Sequence, residues 1–443
     1  MDKMQSIAAR MRQVRMARHF GRVCAIKAGT IWAEGLNSHA SLGDRVLFSM
    51  GSENDLTGEV VALHAKEAII LPEGPMDGLS IGTQVELIFA PSLAPSTSWI
   101  GRIIDPFGRP LDGRPLLAGG EERGFRPPPP PAAGRNRLGA RLNTGLAVFD
   151  TLLPLVRGQR MGLFAGSGVG KSTLLSLLAR GVSADVVVIG LIGERGRELR
   201  EFVEEVLGEE GMARSVVVAA TSDQSPLTRR RCAWAAMTVA EYFRDQGKHV
   251  LFLADSITRF AEAHREIALS AGESPSYRGF PPSTSQMIMS LAERSGPGAI
   301  GSGDITAIFS VLVAGSDMEE PVADILRGVL DGHVVLDRAI AERGRFPAVD
   351  VLRSVSRSLP NAASAAENEQ IARARSLLGT YAESELMIRA GLYAPGSDQR
   401  LDEAVRIYPA LDAFFARSSP NARQSFALLA EALGPSPMRA PIA

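Results

Sequence analysis

Residues 158–172 read Gly158-Gln159-Arg160-Met161-Gly162-Leu163-Phe164-Ala165-Gly166-Ser167-Gly168-Val169-Gly170-Lys171-Ser172. An apolar run, Met161–Ala165, leads into alternating glycines and small residues that end on a lysine and a hydroxyl. The run predicts a buried strand, and the stretch from Leu174 to Arg180 predicts a helix. Glycines between a strand and a helix let successive N–H groups turn inward and approach phosphate oxygens. The helix N-terminus adds a partial positive charge. In such a phosphate loop Gly166, Ser167, Gly168, Val169, Gly170 and Thr173 are expected to surround the phosphates of a nucleotide. Lys171 would reach the β and γ groups, and the Ser172 hydroxyl would ligate Mg²⁺. Ala165 stands where the pattern usually has its first glycine. The chain has five lysines (Lys3, Lys27, Lys66, Lys171 and Lys248) among 48 basic residues, so a lysine at this point is a scarce residue.

Outward from the loop, further apolar runs at Val186–Ile192, Val216–Ala220, Val250–Ala254 and Ile305–Val313 alternate with helical patterns. In one of these, Leu199, Phe202, Val203, Val206 and Leu207 share a face. Alternation of this kind from about 146 to 358 predicts an α/β fold, a mostly parallel sheet with helices on both sides. Residues 23–97 differ: short β-branched segments separated by Gly, Asp and Asn turns predict a small β-barrel. They hold too few aromatics for a base-stacking platform. Residues 98–145 are loop-rich and include five consecutive prolines, Pro127 to Pro131, expected to form a linker packed over a neighbouring domain. The region 359–443 carries no strand signal and reads as a helical domain, with helices near 366–389, 400–416 and 420–433. At the start, residues 1–22 read as an amphipathic helix, with Met4, Ile7, Met11 and Val14 at helical spacing and Arg10, Arg12, Arg15 and Arg18 supplying charge. Such a helix either packs on its own domain or docks on a partner or an anionic membrane surface. The domains are therefore expected at 1–22, 23–97, 98–358 (linker and core) and 359–443.

Composition narrows the class. The 443 residues carry 48 basic and 49 acidic side chains, a formal charge of −1, and 45% are hydrophobic. No apolar run reaches the roughly 18 residues a membrane span needs, and no secretory signal pattern is present. Two cysteines, Cys24 and Cys232, cannot build a disulfide framework or a cysteine-rich metal site. A cytoplasmic protein is expected, and the balanced charge argues against nucleic acid as the partner.

Hydrolysis needs more than binding: a group that polarises water, and charge stabilisation on the transferred phosphoryl. Asp255 follows a four-residue apolar run, where a strand would deliver a carboxylate to the rim of the sheet and to Mg²⁺. Asp also caps helices well, and one begins near Ile257, but the phosphate loop demands a partner carboxylate, which favours the metal role. Glu194 ends another buried run, placed either to polarise water or to start a helix as a surface acid. Spacing leaves these alternatives open.

Residues 158–172 resemble the catalytic subunits of the rotary ATPase superfamily, nearest the flagellum-specific and type III secretion export ATPases. Gly101-Arg102-Ile103-Ile104-Asp105 with Gly108-Arg109-Pro110-Leu111-Asp112-Gly113 resembles that family's segment after its barrel. Gly193-Glu194-Arg195-Gly196-Arg197-Glu198 resembles its glutamate motif, and 347–356 (Pro-Ala-Val-Asp-Val-Leu-Arg-Ser-Val-Ser) its signature. The resemblance implies a RecA-like core between an N-terminal barrel and a C-terminal helical domain. It makes Glu194 the general base, Arg195 an orienting arginine, and Arg357 an arginine finger reaching the adjacent subunit's nucleotide. Phe346 falls where an aromatic stacks on adenine, with Tyr393 as the other side of that clamp. It further implies a homohexamer that hydrolyses Mg-ATP to release chaperones and export flagellar proteins. The implied partners are a stator-like regulator at the N-terminal helix, a central stalk protein, chaperone–substrate complexes and a membrane export gate, which puts the protein at the cytoplasmic face of the inner membrane. A virulence (injectisome) secretion ATPase is the alternative, and a rotary synthase catalytic subunit a more distant one, since those usually read Gly-Gly-Ala-Gly with Thr after the lysine.

Overall fold

The computed structural model describes residues 17–51, 55–88, 90–313 and 318–435. The expected N-terminal helix falls largely on residues 1–16, outside the described residues. Its last three positions are not helical: Phe20 to Arg22 open strand β1 (Phe20–Lys27). Gly21 is the reason, because a Cβ there would lie 2.4 Å from the Glu34 carbonyl oxygen. The close approach lets β1 pair with β2 (Thr30–Glu34) at Arg22 opposite Glu34.

Six antiparallel strands close a barrel in the order β1-β2-β5-β4-β3-β6, with β3 at Arg45–Phe48, β4 at Leu56–Leu63, β5 at Glu67–Pro72 and β6 at Gln84–Ile88. Val23, Ile31, Val46, Phe48, Val60, Ile70, Val85 and Leu87 fill it, each buried. Closure leaves no open sheet edge. The segment after the barrel holds a small ribbon, β7 (Ser92–Leu93) with β9 (Arg123–Gly124). It also contributes β8 (Arg102–Ile104), which joins the central sheet beside Val216 to Val218. A segment read as linker thus supplies an edge strand, since three residues between turns give no periodic signal. Most of the five prolines are exposed and follow the buried Phe125.

The central sheet runs β16-β15-β10-β14-β13-β11-β12-β8. Its members are β10 (Arg160–Ala165), β11 (Val186–Glu194), β12 (Ser215–Thr221), β13 (Val250–Asp255), β14 (Ile305–Leu312), β15 (Gly332–Leu336) and β16 (Val349–Ser356). All neighbours are parallel except β15 and β16. Successive side chains point to opposite faces. Leu163, Ile189 and Leu251 face a core shared with the C-terminal helices Ala365–Arg389, Gln399–Phe415 and Ala422–Leu433. Phe164, Val188 and Phe252 face the other core, under the helix Pro226–Asp245. The face predicted through Leu199 and Leu207 is not one regular α-helix: it becomes π-helical over Phe202–Leu207.

Candidate functional site

β10 delivers the chain to the loop at the carboxyl end of the sheet. Gly168 and Gly170 take φ of 77° and 85°, a left-handed region where side chains are strained. Gly170 then caps the helix Lys171–Gly181, whose first N–H groups face the loop. Val169 contributes backbone alone, because its side chain is buried in the core.

Lys171 Nζ contacts Asp255 Oδ1, and Ser310 Oγ on β14 donates to the same oxygen at 2.6 Å. Asp255 is 3% exposed. The helix Ile257–Ser270 is capped by Ser256, whose hydroxyl accepts from Arg259 N at 3.4 Å. Asp255 is therefore free of the capping alternative and faces the loop. Glu194 ends β11 after a bulge at Gly193, where φ is 70°. It is half-buried, and its carboxyl is pushed up to about 7. Burial is the main cause and the Asp255 charge adds to it, while Lys171 opposes both. A hydrogen bond with Glu198 raises it further. This is a carboxyl held in a cleft, the opposite of a solvated surface acid. Arg195 is exposed and lies 3.5 Å from Glu198 Oε1.

One open cleft brings Lys171, Ser172, Glu194 and Arg195 together. The same cleft adds Arg229 and Arg259, which sequence reading missed. Arg259 Nη1 pairs with Glu262 at 3.0 Å, and Arg229 Nη2 with Glu266 at 3.0 Å. The signal for Arg259 was its place one helical turn beyond Asp255. Phe346 lies against the loop, since a Cβ on Gly170 would sit 3.2 Å from its Cδ1, and the ring is 50% exposed. The Tyr393 hydroxyl donates to Asp402 Oδ1 at 2.6 Å. Among the described residues no ring contact joins it to Phe346.

Arg357 is not brought to this cleft. β10 pairs with β15 at Ala165–Leu336, the loop end, while β16 ends with Ser356 opposite Gly332. From Leu336 back to Gly332 is about 13 Å of strand at ~3.3 Å per residue. Arg357 leaves the far end, exposed, with Nη2 donating to Arg327 O at 3.2 Å.

Comparison with known proteins agrees with this geometry. Residues 145–356 match the ATP synthase alpha/beta family, nucleotide-binding domain, and residues 363–433 match the T3SS EscN ATPase C-terminal domain. The chain is 44% identical over 440 residues to the flagellum-specific ATP synthase of Caulobacter vibrioides, covering 97% of this chain and 99% of that one. It is 39% identical to the Salmonella typhimurium protein of the same name, covering 93% and 92%. The solved structure of the assembled ATPase EscN from the enteropathogenic E. coli type III secretion system superposes with a TM-score of 0.85. That match is 35% identical and covers 94% of this chain and all of EscN. A structure of EscN in complex with its central stalk EscO gives 0.82, at the same identity and coverage. With a phosphate loop, a buried aspartate and a raised glutamate in one cleft, and relatives that span nearly its whole length, the chain belongs to the flagellum-specific and type III secretion ATPases, a P-loop branch of the ATP synthase alpha/beta family.

Proposed function

We propose that the chain hydrolyses Mg-ATP at the seams of a homohexamer to drive flagellar protein export. The observation that carries this reading is the placement of Arg357 at the sheet end opposite Lys171. A cleft that has Lys171, Glu194 and Arg259 but no Arg357 gains a finger from a second copy. An arginine finger is worth ~10³–10⁵ in rate, so assembly would switch the enzyme on.

Within one subunit, the loop N–H groups and Lys171 hold the β and γ phosphates. Glu194, poised near neutrality, takes a proton from the attacking water. Arg195 holds the glutamate pair in place through Glu198, and Phe346 stacks on the base, with Tyr393 as a further contact. The Ser172 hydroxyl and the Asp255 carboxylate are hard oxygen donors of the kind Mg²⁺ takes, and Lys171 and Ser310 already orient that carboxylate. When bound, the ion would neutralise charge on the β and γ oxygens.

The curated relatives carry the flagellum-specific name, which favours flagellar over virulence export. On that reading the chain acts from the cytoplasm at the membrane export gate. The N-terminal residues meet a stator-like regulator, a central stalk protein binds the ring by analogy with EscO, the central stalk in complex with EscN, and chaperone–substrate complexes meet the C-terminal helices. Mixing Arg357→Ala with Lys171→Ala subunits tests supply across the seam: each alone should be nearly inactive, and mixed rings should regain turnover. No recovery in rings shown to be mixed would sink the reading. Deleting the gene and asking whether filaments or virulence secretion disappear separates the two kinds of export.

A further inference from the structure

Gln159 is wholly buried at the root of β10, the strand that carries the phosphate loop. Its Oε1 accepts from Val156 N at 2.9 Å. Its Nε2 donates to Ser356 Oγ at 3.0 Å and to Asp331 O at 3.2 Å. A backbone N–H can only donate and a carbonyl can only accept, so the orientation of the amide is fixed. Both acceptors sit at the base of Arg357. Ser356 is the preceding residue, and its Oγ passes its own hydrogen to Pro154 O at 2.6 Å. Asp331 O also receives the amide of Arg357 itself, at 2.9 Å.

The Arg357 guanidinium is exposed and donates to the Arg327 carbonyl. Its aim therefore follows the backbone at 356–357. That backbone ends an edge strand, paired on one side only and irregular in register between His333 and Val335. Gln159 ties it inward. Arg160 continues the tie, its N donating to Asp331 Oδ2 at 2.9 Å and its carbonyl accepting from Asp331 N at 2.8 Å.

We propose that Gln159 is a positioning residue that fixes the root of Arg357 to the strand bearing the subunit's own phosphate loop, so that each subunit's loop and the finger it offers to the next copy move as one piece. This rests on Arg357 acting across the seam. A shift of about 1 Å in a catalytic group can cost on the order of a hundredfold in rate. Loss of the amide is therefore expected to lower kcat by roughly ten- to a hundredfold with little change in KM for ATP.

The test uses full-length chains in mixed rings. Arg357→Ala subunits keep a working cleft, and Lys171→Ala subunits keep a working finger. Gln159→Leu, close in volume, is added first to the Lys171→Ala partner and then, separately, to the Arg357→Ala partner. Ring formation is followed by sedimentation. The expected result is a roughly ten- to a hundredfold loss of the restored turnover in the first mixture and at most a few-fold loss in the second. Equal losses in both mixtures, or loss only in the second, would mean that Gln159 supports its own cleft and would overturn the proposal. Undiminished turnover in the first mixture, or rings that no longer form in it, would overturn it as well. If the parent mixture without Gln159→Leu shows no recovery, the trans reading of Arg357 has failed and this inference falls with it; recovery in the parent mixture shows that any failure belongs to Gln159 alone.

Discussion

Phe346 and Arg357 stand at opposite ends of one edge strand. Phe346 lies three residues ahead of Val349, the first residue of β16, against Gly170 of the phosphate loop, and Arg357 follows the last residue of the strand, Ser356. A single strand thus presents an aromatic ring to the subunit's own nucleotide cleft and a cation to the outside. Rotating a subunit against its neighbour would leave the first contact intact and change the second. On the proposed reading, binding and turnover are in this way assigned to the two ends of one strand of 8 residues.

The separation predicts a kinetic split. Phe346→Ala should raise KM for ATP by about three- to tenfold, the worth of one stacking contact, and weaken the preference for ATP over other nucleoside triphosphates. Arg357→Ala should lower kcat and leave ATP binding nearly unchanged. Steady-state kinetics with ATP and GTP, together with equilibrium binding of a fluorescent ATP analogue, measure both. A Phe346→Ala enzyme with unaltered KM and base preference would remove the ring from the site.

Glu194→Gln should bind ATP and barely hydrolyse it, with a loss on the order of 10²–10⁴-fold for a missing general base. Burial is the main reason the Glu194 carboxyl stands high, and an uncharged amide beside Asp255 also relieves the repulsion that adds to it. Nucleotide binding should then be equal or tighter while turnover falls. Turnover near the parent level would exclude Glu194 from proton transfer.

What the sequence disclosed followed from how local each signal was. Lys171 and its glycines are contiguous, and Asp255 and Glu194 each close an apolar run, so strand ends could be read directly from hydropathy. Resemblance supplied Arg357 and Phe346, whose surroundings show no local pattern. β16 alternates buried and exposed residues and offered no apolar run. Gln159 could not be read at all, because its partner Ser356 lies 197 residues away. The π-helical turn at Phe202–Leu207 was also invisible, since a periodic apolar face does not report a local change of pitch.

The barrel is joined to the core by buried charges. Glu59 on β4 accepts from Arg230 at 2.6 Å and from Arg231 at 2.7 Å, and Glu73 takes a second bond from Arg231 at 2.7 Å. Burial pulls Arg230 down to about 10 in spite of Glu59. Glu59→Leu would strand a guanidinium in a dry seam, and breaking a buried pair from one side costs about 3–5 kcal/mol. The expected readout is a lower melting temperature and faster proteolytic release of the barrel. Melting and cleavage like the parent would show that the seam does not depend on this carboxylate.

His264 in the helix Ile257–Ser270 is a second element of that seam and should make it sensitive to acid. Its Nδ1 lies 3.4 Å from Arg230 Nη1, and a guanidinium has no lone pair to offer, so Nδ1 accepts and the proton resides on Nε2. Nε2 then donates to Ser283 Oγ at 2.8 Å, which donates to Glu273 Oε2 at 2.6 Å. Burial first and the Arg230 charge second pull the imidazole down to about 4, against the opposing charge of Glu273. An unfolded histidine titrates near 6.5. Between these values the unfolded chain binds the extra proton, so the folded state is undisturbed above pH ~6.5 and loses stability as the pH falls toward 4. At about pH 5 the loss should be on the order of 2 kcal/mol. Trp234, whose ring lies 4.9 Å from the Arg230 guanidinium, reports the seam by fluorescence. Urea midpoints at about pH 7.5 and about pH 5 should diverge more for the parent than for His264→Gln, because glutamine can accept from Arg230 and donate to Ser283 without titrating. The same divergence in both proteins would assign the acid sensitivity to other groups.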